Sequence, residues 1–319
     1  MTRIGFTLSS EEHPPRALVE HAVRAEAAGF DFCSISDHFH PWVTAQGHSP
    51  FVWSVLGAVA EATDRIPLAV GVTCPLMRIH PAIVAHAAAT ASLLLGPRFV
   101  LGVGTGEALN EHILGDRWPP PEIRLDMLDE AVGLMRALWT GETVDHHGAY
   151  YTVENARIFD PPEVEIPVVV SAFGPHAARR AAEMADGLWA SSPDEVSVYE
   201  EAGGSGPRYG QVHVCVGDDL EACRATVAEQ WPNSAMSGQL AQDLPTFTHV
   251  EQAVDTIPVE SRVESIPHGP DPQPVIDAIQ ARLDDGFDHV HLHQIGPDQG
   301  ALFRMWEQVL RQELHAQAA

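Results

Sequence analysis

The sequence contains no lysine. Its 18 basic side chains are all arginines, they stand against 44 aspartates and glutamates, and the formal net charge at pH 7 is −26. A surface of this sign repels nucleic acid and anionic membranes, so neither is expected as a partner. Without lysine the chain also lacks a Schiff-base nucleophile and a lysine for a phosphate. GC-rich coding and adaptation to high salt would each account for the absence.

Long apolar runs and paired cysteines are missing as well. No stretch approaches the roughly 20 apolar residues of a membrane-spanning helix, and the N-terminal MTRIGFTLSS lacks the apolar segment of a signal peptide. The four cysteines, Cys33, Cys74, Cys215 and Cys223, show no metal-ligand spacing and lie mostly in apolar, strand-like segments. These features predict a soluble, cytoplasmic protein.

What the sequence does contain is an alternation of strand-like and helix-like segments. The predicted strands are Ile4–Leu8, Phe32–Ser36, Ile66–Val72, Phe99–Gly104, Ile166–Ala172, Gly187–Ser191, Gln211–Val216 and Val290–Gln294. The amphipathic segments include Pro15–Ala28, Pro81–Leu95, Leu125–Trp139, His176–Ala185 and Pro274–Leu283. This order favours a (β/α)₈ TIM barrel over a doubly wound sheet. We predict a single domain over residues 1–319, with an insertion at about 217–268 between the last two strands.

Polar and aromatic residues cluster where several predicted strands end. The second strand runs into SDHFHPW, with Asp37, His38 and Trp42, and the fourth runs into GTGEALNE, Gly104–Glu111. The fifth strand runs into SAFGPHAAR, Ser171–Arg179. The carboxyl ends of barrel strands meet on one face, where active sites lie. A histidine, carboxylates, an amide and aromatic rings on that face are suited to proton transfer beside a ring system.

Two glycine motifs in these segments suggest contacts with a cofactor. GVGTG at 102–106 starts like a dinucleotide-binding G-x-G-x-x-G, but its third glycine position is Glu107, so we interpret the glycines as a close approach to a flat cofactor. FGPHAARRA places Gly174 and free N–H groups at the start of a helix, which suits an anionic group. An ordinary helix start is the alternative interpretation of the second motif.

Histidine clusters do not indicate a metal site. None is completed by a carboxylate or cysteine at a recognisable ligand spacing, so no metal is predicted; the clusters are His38/His40, His146/His147 and His289/His291/His293. The last three share one face of the final strand, which should point into the barrel, while Val290 and Leu292 pack on helices. We therefore predict His291 as lumen filling and His293, nearer the strand end, as a pocket residue.

Several motifs together resemble one family. SDHFHPW with GHSPF, PLMRIHPA, FVLGVGTGEALNE and VGLMRALWTGE are similar to the luciferase-like flavin and deazaflavin superfamily. Within it they resemble the coenzyme F420-dependent branch that contains the F420-dependent glucose-6-phosphate dehydrogenases. The similarity covers about residues 3–193 and continues weakly to the end.

This resemblance implies a TIM-barrel homodimer that binds F420 and exchanges a hydride with C5 of the deazaflavin. It assigns the substrate's hydroxyl proton to His38, the cofactor's ring nitrogen to Glu107 and the shaping of the pocket to Trp42. A strand bulge with a non-proline cis bond would fall at Gly71–Val72. Cys74 stands where the family has a threonine that contacts the cofactor. The remaining cofactor contacts would be Asp37, Thr105, Asn110, Phe173, Gly174, His176 and Ala177.

The sequence departs from the sugar-phosphate dehydrogenases where those enzymes hold a phosphate with a threonine and basic residues. Ser191 stands for the threonine, Asp194 for a lysine, and Glu264 or Ser265 for another basic group. Because a carboxylate repels a phosphate dianion, we predict an F420-dependent oxidoreductase for an uncharged or cationic small molecule of alcohol/carbonyl type. Ser191 and His293 are its predicted substrate contacts.

Three alternatives remain open at this point. They are an F420-dependent sugar-6-phosphate dehydrogenase, an FMN-dependent luciferase-like monooxygenase and a non-enzymatic cofactor-binding barrel. Arg208 and Arg262 are the basic residues that could restore phosphate binding in the first alternative.

Overall fold

A closed parallel barrel organises the chain. The structure is a computed structural model that describes residues 2–236 and 238–317. Its strands are β1 (Arg3–Leu8), β2 (Phe32–Ile35), β3 (Leu68–Thr73), β4 (Phe99–Val103), β5 (Val144–His147), β6 (Thr152–Ala156), β7 (Val168–Ala172), β8 (Gly187–Ala190), β9 (Arg208–Val216), β10 (His268–Gly269) and β11 (His289–Gln294). The order β1-β2-β3-β4-β7-β8-β9-β11 closes on β1, and every pairing in it is parallel. The TIM-barrel prediction and its eight strands are confirmed.

Helices surround the barrel and connect its strands. In chain order they are α1 (Pro15–Ala28), α2 (Val52–Ala62), α3 (Pro81–Leu95), α4 (Ala108–Glu111), α5 (Pro121–Leu138), α6 (Pro175–Met184), α7 (Pro193–Glu201), α8 (Leu220–Gln230), α9 (Gln239–Asp243), α10 (Phe247–Val254), α11 (Val259–Val263), α12 (Gln273–Asp284), α13 (Gln299–Met305) and α14 (Arg311–Gln317). The five predicted helices are confirmed. Proline begins α1, α3, α5, α6 and α7, because its fixed φ suits a first turn whose N–H is unbonded anyway.

The barrel interior carries polar side chains that the last strand supplies. Val290 and Leu292 of β11 are fully buried among the helices, as predicted. His291 points inward, and its Nδ1 lies 2.8 Å from Thr7 Oγ1 and 3.1 Å from Ser34 Oγ. Burial lowers the pKa of His291 to about 3, so the imidazole is neutral. His291 therefore fills the lumen, as predicted.

The segment between β9 and β10 folds over the carboxyl ends of the barrel strands. Its helix α9 contacts α4, which follows β4. Val250 and Val254 of α10 pack on Val43, which follows β2, and Glu251 accepts a hydrogen bond from the Thr44 N–H at 2.8 Å. We refer to residues 231–236 and 238–254 as the cover segment. The single-domain organisation and the bounds 217–268 of an insertion stay predictions.

Two further features bear on the sequence-based expectations. All four cysteines are free thiols and buried. Among residues 2–236 and 238–317, no helix has both the length and the apolar character needed to span a bilayer.

Candidate active site

The carboxyl ends of the barrel strands open into one cavity of about 660 Å³. Strand ends, the helices that follow them and the cover segment all contribute to its wall. The wall residues are Trp42, Val72, Gly104, Thr105, Gly106, Glu107, Pro121, Arg124, Leu125, Ser171, Phe173, Gly174, Ala177, Ser191, Glu195, Asn233, Met236, Gly238, Gln239, Ala241 and Gln242.

His38 adjoins this cavity on the loop after β2. Its ring meets the ring of Trp42 edge to face, with centroids 5.3 Å apart, and Trp42 lies on the wall. The Nδ1 atom of His38 is 3.2 Å from Oε1 of Glu11. The side chain of His38 is 11% exposed and that of Glu11 is 4% exposed, so this pair is shielded from bulk water.

Glu11 comes from the end of β1 and is held as a carboxylate. Its Oε2 accepts hydrogen bonds from Ser9 Oγ at 3.0 Å and Ser36 Oγ at 2.7 Å. Burial alone would raise the pKa of Glu11, but the charge of His38 and the bond from Ser36 outweigh it and lower that pKa. An ionised carboxylate beside an imidazole orients the ring and stabilises the imidazolium that forms when it accepts a proton.

Asp37 belongs to a separate buried network. Its Oδ2 accepts a hydrogen bond from Thr73 Oγ1 at 2.5 Å, and its Oδ1 lies 3.1 Å from Arg78 Nη2. The backbone N–H and Nε of Arg78 donate to Glu111 at 2.9 and 3.2 Å. Arg78 thus ties together the segments after β2, β3 and β4. Asp37 is 4% exposed and is absent from the cavity wall.

Asn110 fixes the loop after β2 relative to Glu107. Its Oδ1 accepts hydrogen bonds from the backbone N–H groups of Phe39 and His40 at 2.9 and 3.0 Å. Its Nδ2 donates to Glu107 Oε2 at 3.4 Å. Because Glu107 lies on the wall and His38 precedes Phe39, this buried amide holds the loop that carries His38 close to Glu107.

The ends of β3 and β4 form a wall that is largely backbone. The peptide between Gly71 and Val72 is cis, as predicted, and the register with β4 shifts between Val70 and Thr73. Gly106 has φ +72°, and a Cβ there would lie 2.6 Å from Cys74 Sγ, so only glycine suits this turn. Cys74 is buried against Gly106, and burial raises the pKa of its thiol.

Glu195 occupies part of the anion site that was predicted at the start of α6. Gly174 has φ +94°, and its N–H donates to Glu195 Oε1 at 2.8 Å. Oε2 of Glu195 accepts the N–H groups of Ser191 and Ser192, each at 3.0 Å. The N–H of Gly174 itself is therefore not free, because a buried carboxylate already binds it.

The other residues predicted for this end of the cavity divide into two groups. Phe173, Ala177 and Ser191 lie on the wall, whereas His176 is exposed and does not. The backbone N–H groups of His176 and Ala177 have no acceptor among the described residues. These two groups remain as donors at the first turn of α6.

His293 is bound to Glu12 and lies off the cavity wall. Its Nε2 is 2.6 Å from Glu12 Oε2, and Glu12 Oε1 accepts the Gly296 N–H at 2.7 Å. His293 is 1% exposed, and its ring centroid lies 4.3 Å from that of Trp231. A direct substrate contact by His293 has no support in this arrangement. Across the part of the chain that the structure describes, no group of three or more His, Cys, Asp or Glu side chains is placed to hold a metal ion.

The family follows from comparison with known proteins. A family model described as luciferase-like monooxygenase matches residues 1–289. The chain belongs to this family. Its curated relatives include the F420-dependent glucose-6-phosphate dehydrogenase of Nocardia farcinica, 35% identical over 99% of this chain and 98% of that protein. The enzyme of the same name from Kribbella flavida is 36% identical over 93% of each chain. The resemblance described above is thereby confirmed.

Solved structures of the luciferase-like fold align over nearly the whole chain. An F420-dependent secondary alcohol dehydrogenase in complex with an F420-acetone adduct has a TM-score of 0.89 and 28% identity, and the match covers 97% of this chain and 98% of that one. The coenzyme F420-dependent tetrahydromethanopterin reductase of Methanopyrus kandleri has a TM-score of 0.77 at 21% identity, covering 98% and 99%. The second likeness supports the barrel fold alone.

Sequence reasoning found much of this luciferase-like site but overlooked several buried charges. The predicted residues on the wall are Trp42, Val72, Thr105, Glu107, Phe173, Gly174, Ala177 and Ser191. The overlooked charged residues are Glu11, Glu12, Arg78, Arg124 and Glu195. Two signals were available: the acidic pair directly follows β1, and Ser192 with Glu195 has the spacing of a capping box, which the structure contains.

Proposed function

We propose that the protein is a coenzyme F420-dependent oxidoreductase that transfers a hydride between a small, non-phosphorylated alcohol or carbonyl compound and C5 of the deazaflavin. The observation that carries this proposal is the buried His38–Glu11 pair beside a cavity whose wall includes Trp42 and Glu107. F420-dependent relatives that match nearly the full chain, and a structural neighbour that holds an F420-acetone adduct, support the cofactor.

The cavity wall suits F420. Gly104, Thr105 and Gly106 after β4 and Val72 of the cis peptide lie on the wall, and a surface that is largely backbone suits a flat ring. The unbonded N–H groups of His176 and Ala177 suit the cofactor's phosphate. Bound F420 supplies the hydride acceptor, or in the reverse direction the hydride donor, at C5.

His38 and Glu107 divide the proton transfers. The pKa of a secondary alcohol lies far above 7, so loss of a hydride requires a base at the hydroxyl group. A neutral imidazole is suited to this task. Glu11 stabilises the imidazolium that results. Glu107 holds or delivers the proton at the ring nitrogen of the cofactor. Trp42 packs against His38 and limits the size of the substrate.

A phosphorylated substrate is disfavoured, but for a different reason from the one given by the sequence. Asp194 and Glu264 are exposed and off the wall, so they do not face the cavity. The carboxylate beside Ser191 is Glu195 instead. Arg208 pairs with Asp288 at 2.7 Å, outside the cavity.

Arg262 is also off the wall, and its Nε donates to the Ile257 carbonyl at 2.9 Å. A sugar phosphate at Ser191 would therefore meet a carboxylate and neither of these arginines. We expect at least about 10²-fold lower kcat/KM for glucose 6-phosphate than for a secondary alcohol of similar size. An F420-reduction assay with both substrates measures this ratio, and efficient use of the sugar phosphate would favour the sugar-6-phosphate dehydrogenase.

Two measurements test the oxidoreductase itself. Fluorescence titration should give tight binding of F420 and weak binding of FMN; the reverse result would favour the FMN-dependent monooxygenase. His38→Ala should abolish alcohol turnover while F420 binds within a few-fold of wild type, because the imidazole serves the substrate. Normal turnover by this variant, or F420 binding without turnover of any alcohol or ketone by the wild type, would contradict the proposal. The second outcome would favour the non-enzymatic barrel.

We also propose that the enzyme is a cytoplasmic homodimer. The resemblance to F420-dependent enzymes supports the dimer, and four free thiols are compatible with a reducing compartment. Light scattering coupled to size exclusion tests the dimer, since a monomer at micromolar concentration would contradict it.

A further inference from the structure

A fully buried arginine lies on the cavity wall with part of its hydrogen-bonding capacity unused. Arg124, in the first turns of α5, is 0% exposed. Its Nη2 donates to Gln242 Oε1 at 3.0 Å, and its Cζ lies 4.1 Å from the ring of Trp118. Its Nη1 is 3.7 Å from Asp243 Oδ1, beyond hydrogen-bonding distance. Neither Nε nor Nη1 makes a hydrogen bond to the described residues.

Burying such a guanidinium costs free energy unless a ligand accepts hydrogen bonds from its unused N–H groups. A buried N–H without an acceptor loses its hydration without compensation, and for a charged group the loss is larger. Among the described wall residues, Arg124 is the basic one, and it stands against the carboxylates of Glu107 and Glu195. Because Arg124 has no exposed surface, an anionic ligand in this cavity reaches its positive side chain by displacing the groups that cover it.

The position of Arg124 in the fold shows which parts of the cavity wall lie beside it. Helix α5 packs against α6, and Arg180 of α6 pairs with Asp126 of α5 at 3.0 Å. Arg124 thus belongs to the part of the wall formed by α5, which packs on α6, and the charge of Glu107 after β4 also acts on it. His38 and Trp42 come from the loop after β2. Since Glu195 takes the N–H of Gly174, the first turn of α6 alone offers few donors for a polyanion.

We propose, on the basis of the F420 function stated above, that Arg124 binds the acidic tail of the cofactor. In the unliganded protein Asp243, whose side chain is 48% exposed, acts as a replaceable counter-ion. The carboxylate or phosphate of the tail takes its place and forms charge-assisted hydrogen bonds with Nε and Nη1, in the side-on geometry that a guanidinium offers. Gln242 and Trp118 hold the guanidinium plane for this contact.

The test compares two cofactor forms by fluorescence titration. F420 carries the phosphate and glutamate tail; the deazaflavin that ends at the ribityl hydroxyl lacks it. Arg124→Gln should raise the Kd for F420 by about 10- to 100-fold, the usual effect of losing charged hydrogen bonds. It should change the Kd for the tail-less form by less than about threefold. Arg117→Gln, which removes the same charge from an exposed site seven residues away, should leave both Kd values unchanged.

Asp243→Asn should change F420 binding in the opposite direction to Arg124→Gln. The asparagine oxygen still accepts the Trp118 Nε1–H that donates to Asp243 at 3.0 Å, but the competing charge is gone. We expect Asp243→Asn to bind F420 about two- to tenfold more tightly. If the ion pair is purely structural, both Arg124→Gln and Asp243→Asn should bind F420 more weakly. If Arg124→Gln does not fold, the single variants Arg124→Lys and Asp243→Asn replace it in the test. Arg124→Lys should weaken F420 binding by less than is expected for the glutamine variant.

Three results would overturn the proposal. The first is an unchanged Kd for F420 in folded Arg124→Gln, and the second is an equal loss for both cofactor forms. The third is a raised KM for the alcohol substrate with F420 binding intact, which would assign Arg124 to the substrate. Failure of wild type to bind either deazaflavin would instead refute the F420 function itself.

Discussion

Replacing Glu11 by glutamine removes the buried carboxylate that lies 3.2 Å from His38 and keeps its shape. A contact with a charged group of this kind contributes about 1.5–3 kcal/mol. In the proposed reaction that energy stabilises the imidazolium that forms as the alcohol gives up its proton, and the variant loses it. The expected fall in kcat is therefore about 10- to 100-fold. The upper part of this range is favoured because Ser9 and Ser36 hold the carboxylate in place.

Cofactor binding separates this electrostatic effect from a structural one. Glu11 contacts His38 and is not among the wall residues of the cavity, so Glu11→Gln should bind F420 within a few-fold of wild type while its kcat falls. Fluorescence titration measures the Kd for F420, and F420 reduction followed by absorbance measures kcat. A distorted site would weaken F420 binding as well.

Glu12→Gln is the matched control. It makes the same change at the neighbouring residue, but its carboxylate pairs with His293 off the cavity wall. We expect it to keep both kcat and the Kd for F420 within about threefold of wild type. The assignment of Glu11 would be refuted if Glu11→Gln kept kcat within about threefold, or if both variants lowered kcat equally.

Three further outcomes follow from the buried charges. Glu107→Gln should slow alcohol-driven F420 reduction by about 10²-fold or more and alter its pH profile, measured in single turnovers, because an amide cannot relay the proton. Arg78→Gln leaves two buried carboxylates unpaired and should cost about 3–5 kcal/mol in urea unfolding, against about 0–1 kcal/mol for Arg24→Gln at an exposed pair. His291 has a pKa of about 3, lowered by burial, so the unfolded chain binds its proton first as pH falls below about 6.5. Stability should then drop by about 2 kcal/mol from pH 7 to 5 for this group, and urea midpoints of His291→Asn should show the shallower slope.

The barrel could be predicted because its strands are buried on both faces. β7 reads VVVSA, with Val168, Val169 and Val170 fully buried, so the apolar run itself marks the strand. Helix α2 was overlooked although its buried positions, among them Val52 and Val59, follow helical spacing. The hairpin of β5 and β6 was overlooked for a different reason: both strands are short and mostly exposed, so no apolar alternation marks them.

The site was predictable as far as strand ends reveal it. The rule that strand ends meet on one face, which brought together the segments after β2 and β4, applies equally to Ser9–Glu12 after β1, a segment for which no role was predicted. The partners of these buried carboxylates come from distant parts of the chain. Ser36 and His38 contact Glu11, and His293 contacts Glu12. A single sequence gives no register for such pairs, so their burial could not be anticipated.

The charge of the pocket shows the same limit in a sharper form. The missing lysines and the acidic residues Asp194 and Glu264 predicted a pocket that disfavours phosphate, but Arg124 of α5 lies on the wall. Its partners Gln242 and Asp243 come more than a hundred residues later in the chain, so its position could not be anticipated. Net charge constrains what the whole surface attracts, whereas ligand choice depends on which charges are buried and on what already binds them. Here Glu195 accepts the hydrogen bond of the Gly174 N–H, and Arg124 keeps two N–H donors, Nε and Nη1, that were not predicted. On the proposals above, His38 with its carboxylate serves an uncharged substrate and the guanidinium of Arg124 serves an anionic cofactor, so charge distinguishes the two ligands within a single cavity.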